Sequence, residues 1–142
     1  MPVTDRKLAR VLVVDDNQDA LWPLRMLLEK NGFDARTAQD GPSALHEAEA
    51  FQPDVIVLDI GLPRMNGFET ARRIRQRPWG RNTIIVALTG WGKKQAEQIA
   101  CAVDFDGWLL KPVEFRELAY LIEDLLPDVN DSGGKPARHS LP

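Results

Sequence analysis

Polar residues able to bind a cation or a phosphoryl group stand at the ends of four short apolar runs. They are an acidic pair after the first run and one residue at the end of each later run: Asp15, Asp16, Asp59, Thr89 and Lys111. If the runs are parallel strands, their carboxyl ends share one edge of a sheet, where open α/β sheets bind ligands. Carboxylates, a hydroxyl and an ammonium would then converge on one site. That set suits a divalent cation beside a phosphoryl group.

The apolar runs alternate with helical patterns. Short, β-branched apolar runs are typical of strands covered on both faces. They predict strands at residues 11–14, 55–58, 84–88 and 107–110, with a more polar edge strand at 34–38. Helical patterns lie at residues 17–31, 42–50, 67–76, 93–102 and 114–126. Five strands alternating with five helices require a parallel sheet with right-handed crossovers, and hence an α/β three-layer sandwich.

Glycine and proline residues mark the ends of the predicted helices. Gly32 tolerates positive φ and is expected to end the first helix, and Pro42 suits the first turn of the second. Pro23 falls inside the first helical pattern, where it cannot donate an interior hydrogen bond. The first helix therefore either kinks at Pro23 or has its regular part begin near Trp22.

The length and charge of the chain limit the class of protein. A chain of 142 residues has the size of one domain, which we place at residues 9–126 after an extension of residues 1–8. The 18 basic and 21 acidic residues give a net charge of -3 and no concentrated positive field. We therefore expect binding to neither nucleic acid nor membrane. Cys101 is the only cysteine, which excludes an internal disulfide.

The two ends of the chain carry no apolar signal. No stretch approaches the length needed to cross a bilayer, and the start has no extended apolar region before its first acidic pair. We expect a cytoplasmic protein. Residues 127–142 are rich in proline, glycine, serine and charge, which predicts a flexible tail and no DNA-binding output domain.

Four motifs in order resemble the receiver domain of two-component response regulators. They are VLVVDDN, DVIVLDIGLPRMNGFE, IIVALTG and GWLLKPV, and the resemblance covers roughly positions 9 to 126. Each motif alone is unspecific, but all four occur in the family's order and spacing. The resemblance implies a flavodoxin-like, doubly wound (βα)5 fold with strand order 2-1-3-4-5. It also implies a signalling switch that receives a phosphoryl group on an aspartate.

Position by position, the resemblance implies that Asp59 is the phosphoacceptor and Asp16 a metal ligand. Asp15 would support the metal through water or a hydrogen bond, and the backbone carbonyl of Gly61 would be a further ligand. The implied cofactor is Mg²⁺ (or Mn²⁺); magnesium favours octahedral oxygen coordination with few carboxylates. The metal would also relieve repulsion among three close carboxylates. Capping of the first helix would explain Asn17, but not two adjacent acids together with Asp59.

The resemblance also assigns residues that contact and sense the phosphoryl group. Lys111 would pair with one phosphoryl oxygen as a compact ammonium, and Thr89 would hydrogen-bond another. The bond between Lys111 and Pro112 is commonly cis in the family, and cis bonds are otherwise rare. Thr89 and Trp108 resemble the switch pair, in which the threonine moves toward the phosphoryl group and an aromatic side chain rotates inward. The usual aromatic residue there is tyrosine or phenylalanine.

Two positions near the acceptor are expected to set the lifetime of the phosphoryl group. The ring of Trp91, two residues after Thr89, would shield the acyl phosphate from water. Gly61, two residues after Asp59, has no side chain to position a hydrolytic water. Both favour slow self-dephosphorylation, and a Trp91→Ala variant with an unchanged hydrolysis rate would contradict this hypothesis.

Other departures from the family pattern concern the surface. Asp104 stands where the family often has glycine, which predicts a strained or reshaped corner before the last strand. Trp79 and Trp91 are large apolar residues in polar surroundings. They are either single surface residues or parts of a partner-binding patch.

Three functional classes are to be compared with these residues. The first is a phosphorylatable signalling switch that uses Asp59. The second is a phosphorylation-independent pseudo-receiver, which would be expected to lack the acceptor or Lys111. The third is a Mg²⁺-dependent phosphohydrolase of the haloacid-dehalogenase type, which needs a second aspartate where Gly61 stands. The residues favour the switch, which is no enzyme beyond its own phosphorylation and dephosphorylation.

The expected partners follow from the switch. A sensor histidine kinase or a histidine phosphotransfer protein would supply the phosphoryl group in a phosphorelay. The segment LTGWG resembles receivers attached to hybrid sensor kinases, although we expect a stand-alone receiver, as a monomer or weak dimer. A downstream protein would bind the face made by the fourth helix, fifth strand and fifth helix.

Overall fold

Five strands form one parallel sheet: β1 (Arg10–Val14), β2 (Asp34–Ala38), β3 (Val55–Asp59), β4 (Ile84–Thr89) and β5 (Gly107–Leu110). Their order across the sheet is β2-β1-β3-β4-β5, and every neighbouring pair is parallel. The structure is a computed structural model that describes residues 8–90, 94, 97–99 and 102–126. The predicted flavodoxin-like strand order is confirmed.

Helices cover both faces of this sheet. They are α1 (Gln18–Lys30), α2 (Gly41–Phe51), α3 (Gly67–Arg75) and the last helix (Phe115–Leu125), with a 3₁₀ turn at Pro78–Arg81 before β4. Residues 94 and 97–99 are also helical, within the segment 93–102 predicted as a helix. The remainder of that segment, with Trp91 and Cys101, lies outside the described residues.

Polar side chains fix the starts of three helices. Asn17 accepts a hydrogen bond from the N–H of Asp19, and Asp40 accepts one from the N–H of Ser43. Asn66 caps α3 in the same way. These caps satisfy amide groups that have no partner within the helix. Each cap therefore sets where the loop before its helix ends.

The two faces of the sheet bury separate hydrophobic layers. Alternate residues of β1 and β3 pack with α1 and the last helix, and the others pack with α2 and α3. The first set is Val11, Val13, Val55 and Val57, and the second is Leu12, Val14, Ile56 and Leu58. Burial on both faces explains why these strands are continuously apolar.

Two local predictions about α1 have different outcomes. The helix begins at Gln18 and contains Pro23, so a regular start near Trp22 is wrong. Pro23 removes one interior hydrogen bond from a helix that packing holds in place. Gly32 has a φ of +92°, which confirms the predicted end of the helix.

The structure bears on two expectations about the surface, the strain at Asp104 and the exposure of Trp79. Among the described residues, positive φ occurs at Gly32, Gln52 and Arg64, so Asp104 is not in the strained conformation expected of a glycine position. Trp79 is half-buried and donates its indole N–H to Oε1 of Glu49 at 3.0 Å. The ring packs on the core layer of α2 and α3, so Trp79 is more buried than expected, while its predicted partner Trp91 lies outside the described residues. Within the part of the chain that the structure describes, no helix is long and apolar enough to span a membrane.

Candidate functional site

Three carboxylates meet at the carboxyl ends of β1 and β3. Oxygen atoms of Asp15, Asp16 and Asp59 lie within 4.8 Å of one another. Asp15 and Asp59 are only 3% and 6% exposed, whereas Asp16 is exposed. The two strands are hydrogen-bonded neighbours, which brings residues 44 positions apart to one edge of the sheet. The convergence expected of parallel strand ends is present.

An ammonium group joins the two buried carboxylates. Nζ of Lys111 lies 3.0 Å from Oδ2 of Asp15 and 3.0 Å from Oδ2 of Asp59. Lys111 follows β5, and its backbone N–H donates to the carbonyl oxygen of Thr89 at 2.8 Å. The peptide bond between Lys111 and Pro112 is cis. The hydrogen bond to β4 thus fixes the backbone of Lys111, just after β5, and the ammonium of this residue enters the site.

Backbone amides hold the second oxygen of each buried carboxylate. The N–H of Asn17 donates to Oδ1 of Asp15, and the N–H of Gly61 donates to Oδ1 of Asp59, both at 3.0 Å. Each carboxylate is therefore held by an amide two residues later and by the shared ammonium of Lys111. These hydrogen bonds orient both carboxylates and partly offset the free-energy cost of removing them from water.

Burial and neighbouring charges change the proton affinities in the site. Burial raises the pKa of Asp59, and the Asp15 charge adds to the rise, while the Gly61 amide and Lys111 act in the opposite direction. Burial would lower the pKa of Lys111, but its bonds to Asp15 and Asp59 outweigh this effect and raise it. Lys111 is therefore a cation at neutral pH, whereas ionisation of Asp59 lowers the stability of the folded protein.

The donor set fits a hard divalent cation. Three carboxylates face one ammonium, so the ionised cluster carries an excess of two negative charges. Carboxylate oxygens are ligands that Mg²⁺ prefers, together with water. Asp16 is exposed and stands beside the two buried carboxylates, where it can bind a partly hydrated ion. The role of the Gly61 carbonyl stays a prediction.

Thr89 and Trp108 lie on adjacent strands behind this edge. Thr89 is the fully buried last residue of β4. Trp108 of β5 pairs with Ala87 and packs in a small cluster with Ile60, the residue after Asp59. The two predicted switch residues are therefore close to the site in the fold, and their movement stays a prediction.

A cleft adjoins the carboxylates on the α1 side. It has a volume of about 570 Å³ and lies between α1 and the segment that follows β5. Leu24 and Leu27 line one wall, Val113 and Phe115 the other, and Asp15 and Lys111 are also part of its lining. The cleft thus reaches the site at Asp15 and Lys111.

Comparison with known proteins identifies the family. The family model of the response regulator receiver domain matches residues 11–123. The match includes the acidic pair, Asp59, Thr89 and Lys111. The chain belongs to the response regulator receiver family. Receiver domains are signalling modules of two-component systems, so the predicted class is confirmed.

Two relatives show how this receiver domain compares in sequence. A 14.6 kDa protein of the sodA1 3′ region of Leptolyngbya boryana is 35% identical over 113 residues, which are 80% of this chain and 86% of that protein. The alkaline phosphatase synthesis transcriptional regulatory protein PhoP of Bacillus subtilis is 33% identical over 117 residues, 82% of this chain and 48% of PhoP. The chain spans about half the length of PhoP.

Solved structures of receivers have the same fold. CheY4 of Vibrio cholerae has a TM-score of 0.78 at 32% identity, and the match covers 84% of this chain and 100% of CheY4. The receiver domain of the sensor histidine kinase PA1611 of Pseudomonas aeruginosa has a TM-score of 0.75 at 26% identity, covering 82% of this chain and 96% of that one. The PA1611 receiver was solved with a magnesium ion coordinated in its active site cleft.

One residue that supports the site in this receiver domain was missed in the sequence. A Cβ atom at Gly67 would lie 2.7 Å from the carbonyl oxygen of Asp59, so only glycine lets α3 start against the acceptor. The N–H of Gly67 donates to the carbonyl of Ile60 at 2.9 Å. Its signal in the sequence is a glycine directly after the capping residue Asn66, which predicts a helix start but not a close approach.

Proposed function

We propose that this receiver domain accepts a phosphoryl group on Asp59 from a phosphohistidine, with Mg²⁺ held by Asp16, Asp59 and the backbone carbonyl of Gly61 and supported by Asp15. One observation carries the proposal: a buried carboxylate, Asp59, lies 3.0 Å from the ammonium of Lys111 and within 4.8 Å of two further carboxylates. A site with this excess of negative charge needs a cation before it can receive an anionic group.

In the proposed reaction, a carboxylate oxygen of Asp59 attacks phosphorus. The new P–O bond forms as the P–N bond of the donor breaks, and the leaving imidazole takes up a proton. A bound Mg²⁺ would neutralise charge on the transferring oxygens. The amide of Gly61 holds Oδ1 of Asp59 and so fixes the direction of the carboxylate. Ordering of the nucleophile in this way lowers the entropic part of the barrier.

Lys111 and Thr89 act on the phosphoryl oxygens. Lys111 would exchange its contact with Asp59 for a contact with a phosphoryl oxygen, while its contact with Asp15 keeps the ammonium in place. The Thr89 hydroxyl would donate a hydrogen bond to another oxygen. These new contacts supply the differential free energy that biases a two-state equilibrium, with Thr89 and Trp108 as the elements that respond.

The proposed partners are a histidine kinase or phosphotransfer protein and a downstream protein. The donor must reach the edge of the sheet that carries Asp59. The downstream partner would contact the face of β5 and the last helix, where Leu110 and Tyr120 are 47% and 75% exposed. Exposed apolar and aromatic side chains of this kind are suited to protein contacts.

Incubation of the full chain with acetyl phosphate, followed by intact-protein mass spectrometry, tests the proposal. One phosphoryl adduct is expected in the presence of Mg²⁺ and none without it. Asp59→Ala should abolish the adduct, while Asp34→Ala, which removes an exposed carboxylate at the start of β2, should keep it. No adduct on a folded, Mg²⁺-binding protein would favour the pseudo-receiver.

A further inference from the structure

Arg75, the last residue of α3, is bound at the edge of the sheet opposite the carboxylates. Its side chain is 17% exposed. The guanidinium donates to the backbone oxygens of Gly80 and Thr83, before β4, and of Asp104, before β5. It also lies 2.9 Å from a carboxylate oxygen of Asp106. Each of these partners lies just before β4 or β5, so the Arg75 side chain fixes the path of the chain into both strands.

The carboxylate of Asp106 connects this group to the sheet. Its Oδ2 accepts the N–H of Ile85 in β4 at 2.9 Å, and the N–H of Asp106 donates to the carbonyl of Ile85 at 2.8 Å. The Asp106 side chain is 10% exposed. Arg75 and Asp106 together set how the start of β5 lies against β4.

Phe105 lies between the two residues that Arg75 binds. Its ring meets Phe68 of α3 edge to face, with centroids 5.6 Å apart and an interplanar angle of 85°. Both rings pack in the cluster that contains Ile60 and Trp108. The N–H of Ile60 donates to the carbonyl of Leu88 in β4. The segment bound by Arg75 is therefore in the same packing unit as Trp108 and as the residue after Asp59.

Among the described residues, none accepts a hydrogen bond from the indole of Trp108. Its Nε1 is buried, and within the described part of the chain no acceptor lies within bonding distance. The half-buried Trp79, in contrast, binds Glu49. A buried N–H without a partner disfavours the position it occupies. Within the described part of the chain, the Trp108 ring is held by packing and by the backbone that carries it.

We propose that Arg75 is a positioning residue for Trp108. By binding Asp104 and Asp106, it fixes the backbone four and two residues before the indole and holds the ring against Ile60, although no described residue accepts the indole N–H. The planar guanidinium supplies five donors in fixed directions, which a lysine could not replace. This inference goes beyond the proposed function, and it holds whether or not Asp59 accepts a phosphoryl group.

Hydrogen exchange of the Trp108 indole in the full chain tests the proposal. The chain has four tryptophans, and the Trp108 signal in ¹H–¹⁵N spectra is assigned by its loss in Trp108→Phe. In Arg75→Gln, we expect the indole hydrogen to exchange about tenfold faster or more, relative to the slowest backbone amides of β1 and β3. Normalisation to those amides separates local opening from global unfolding.

The matched control is Arg72→Gln, because Arg72 lies on the same helix but is 61% exposed and pairs with Glu69. This variant should leave the indole exchange unchanged. If Arg75→Gln does not fold, Asp106→Asn is measured instead; it keeps an acceptor for Ile85 but removes the charge, and should give a smaller increase. Indole exchange that stays constant, or that rises only by the same factor as the slowest amides, would overturn the proposal.

Discussion

Lys111 is the residue on which the stability of the site depends most. Its ammonium is the shared partner of two buried carboxylates. Removal of one partner from a buried ion pair leaves an uncompensated charge, which costs more than the pair contributes. Lys111 therefore has a structural role that is separate from any contact with phosphate.

Lys111→Met should lower the free energy of unfolding at pH 7 by about 3 kcal/mol, as measured by urea denaturation without Mg²⁺. The effect should shrink when Mg²⁺ is added, because the ion compensates the same carboxylates. Lys30→Met replaces an exposed lysine in the last turn of α1 and should cost under about 1 kcal/mol. Equal losses for the two variants would contradict this account.

Asp59 has the opposite effect on stability. Its folded pKa lies above the ordinary value of 3.8 because burial disfavours the charged form. Between pH 3.8 and the folded pKa, Asp59 is more often protonated in the folded protein than in the unfolded chain. The contribution of Asp59 to the free energy of unfolding therefore falls as the pH rises through this window. Ionisation of Asp59 thus lowers the stability of the folded protein, although the proposed phosphoryl transfer requires the ionised form.

Asp59→Asn should therefore be more stable than the wild type at neutral pH, by on the order of 1 kcal/mol. The difference should shrink as the pH falls toward and below 3.8, because the group becomes protonated in both states. Urea denaturation from pH 3.5 to pH 7.5 measures it. Asp34→Asn, at an exposed position, should show no such pH dependence; a constant difference for Asp59→Asn would be inconsistent with the raised pKa.

Among the structural elements, the strands were predicted from the sequence almost to the residue, whereas the contacts between surface side chains were not. β2 and β5 have the predicted bounds, and β1, β3 and β4 differ by one residue at an end, because β-branched apolar runs have few alternatives in a sheet covered on both faces. The acidic pair, Asp59 and Lys111 converge because parallel strand ends must share an edge.

Contacts made by individual side chains could not be predicted in this way. The hydrogen bond from Trp79 to Glu49 and the bonds of Arg75 to Asp104 and Asp106 join residues about 30 positions apart. These contacts do not depend on hydrophobic periodicity, which is the main indication of secondary structure in a single sequence. The close approach of Gly67 to Asp59 depends on the exact path of a loop, which composition does not determine.

The position of the start of α3 is sensitive to a small change at Gly67. Gly67→Ala would place a methyl group 2.7 Å from the carbonyl oxygen of Asp59, so the helix must move. We expect a loss of roughly 1 to 3 kcal/mol in stability and a lower rate of phosphoryl uptake from acetyl phosphate.

Gly90→Ala is the matched control, since a Cβ atom there meets its nearest neighbours in the Lys111 side chain at 4.0 Å, an ordinary contact distance. Thermal unfolding and the time course of the phosphoryl adduct would be compared for both variants. If Gly67→Ala matched Gly90→Ala in both measurements, the close approach of α3 would not position the acceptor.

At the scale of the whole molecule, the charge of the site links ion binding to folding. The described cluster has an excess of negative charge at one edge of the sheet, and it is assembled from strands that are separate in the unfolded chain. An ion that binds only the folded state stabilises it by mass action. Mg²⁺ should therefore raise the melting temperature.

At a Mg²⁺ concentration a hundredfold above its Kd, the stabilisation should be about 2.7 kcal/mol, or roughly 5 to 10 °C for a domain of this size. Asp16→Asn should lose most of this increase with little effect on the metal-free protein, because Asp16 is exposed. Asp34→Asn should respond like the wild type. Calorimetry that shows equal increases in the wild type and in Asp16→Asn would exclude Asp16 as a ligand.

Chemical trapping of the acyl phosphate identifies the carboxylate that receives the phosphoryl group, which we propose is Asp59. Wild-type protein is treated with acetyl phosphate and Mg²⁺, reduced with sodium borohydride and analysed by peptide mass spectrometry. Reduction of an aspartyl phosphate converts the residue to homoserine. We predict homoserine at position 59 alone, and only when Mg²⁺ is present. Homoserine at position 15 or 16, or at none of the three, would contradict the assignment of Asp59 as the acceptor.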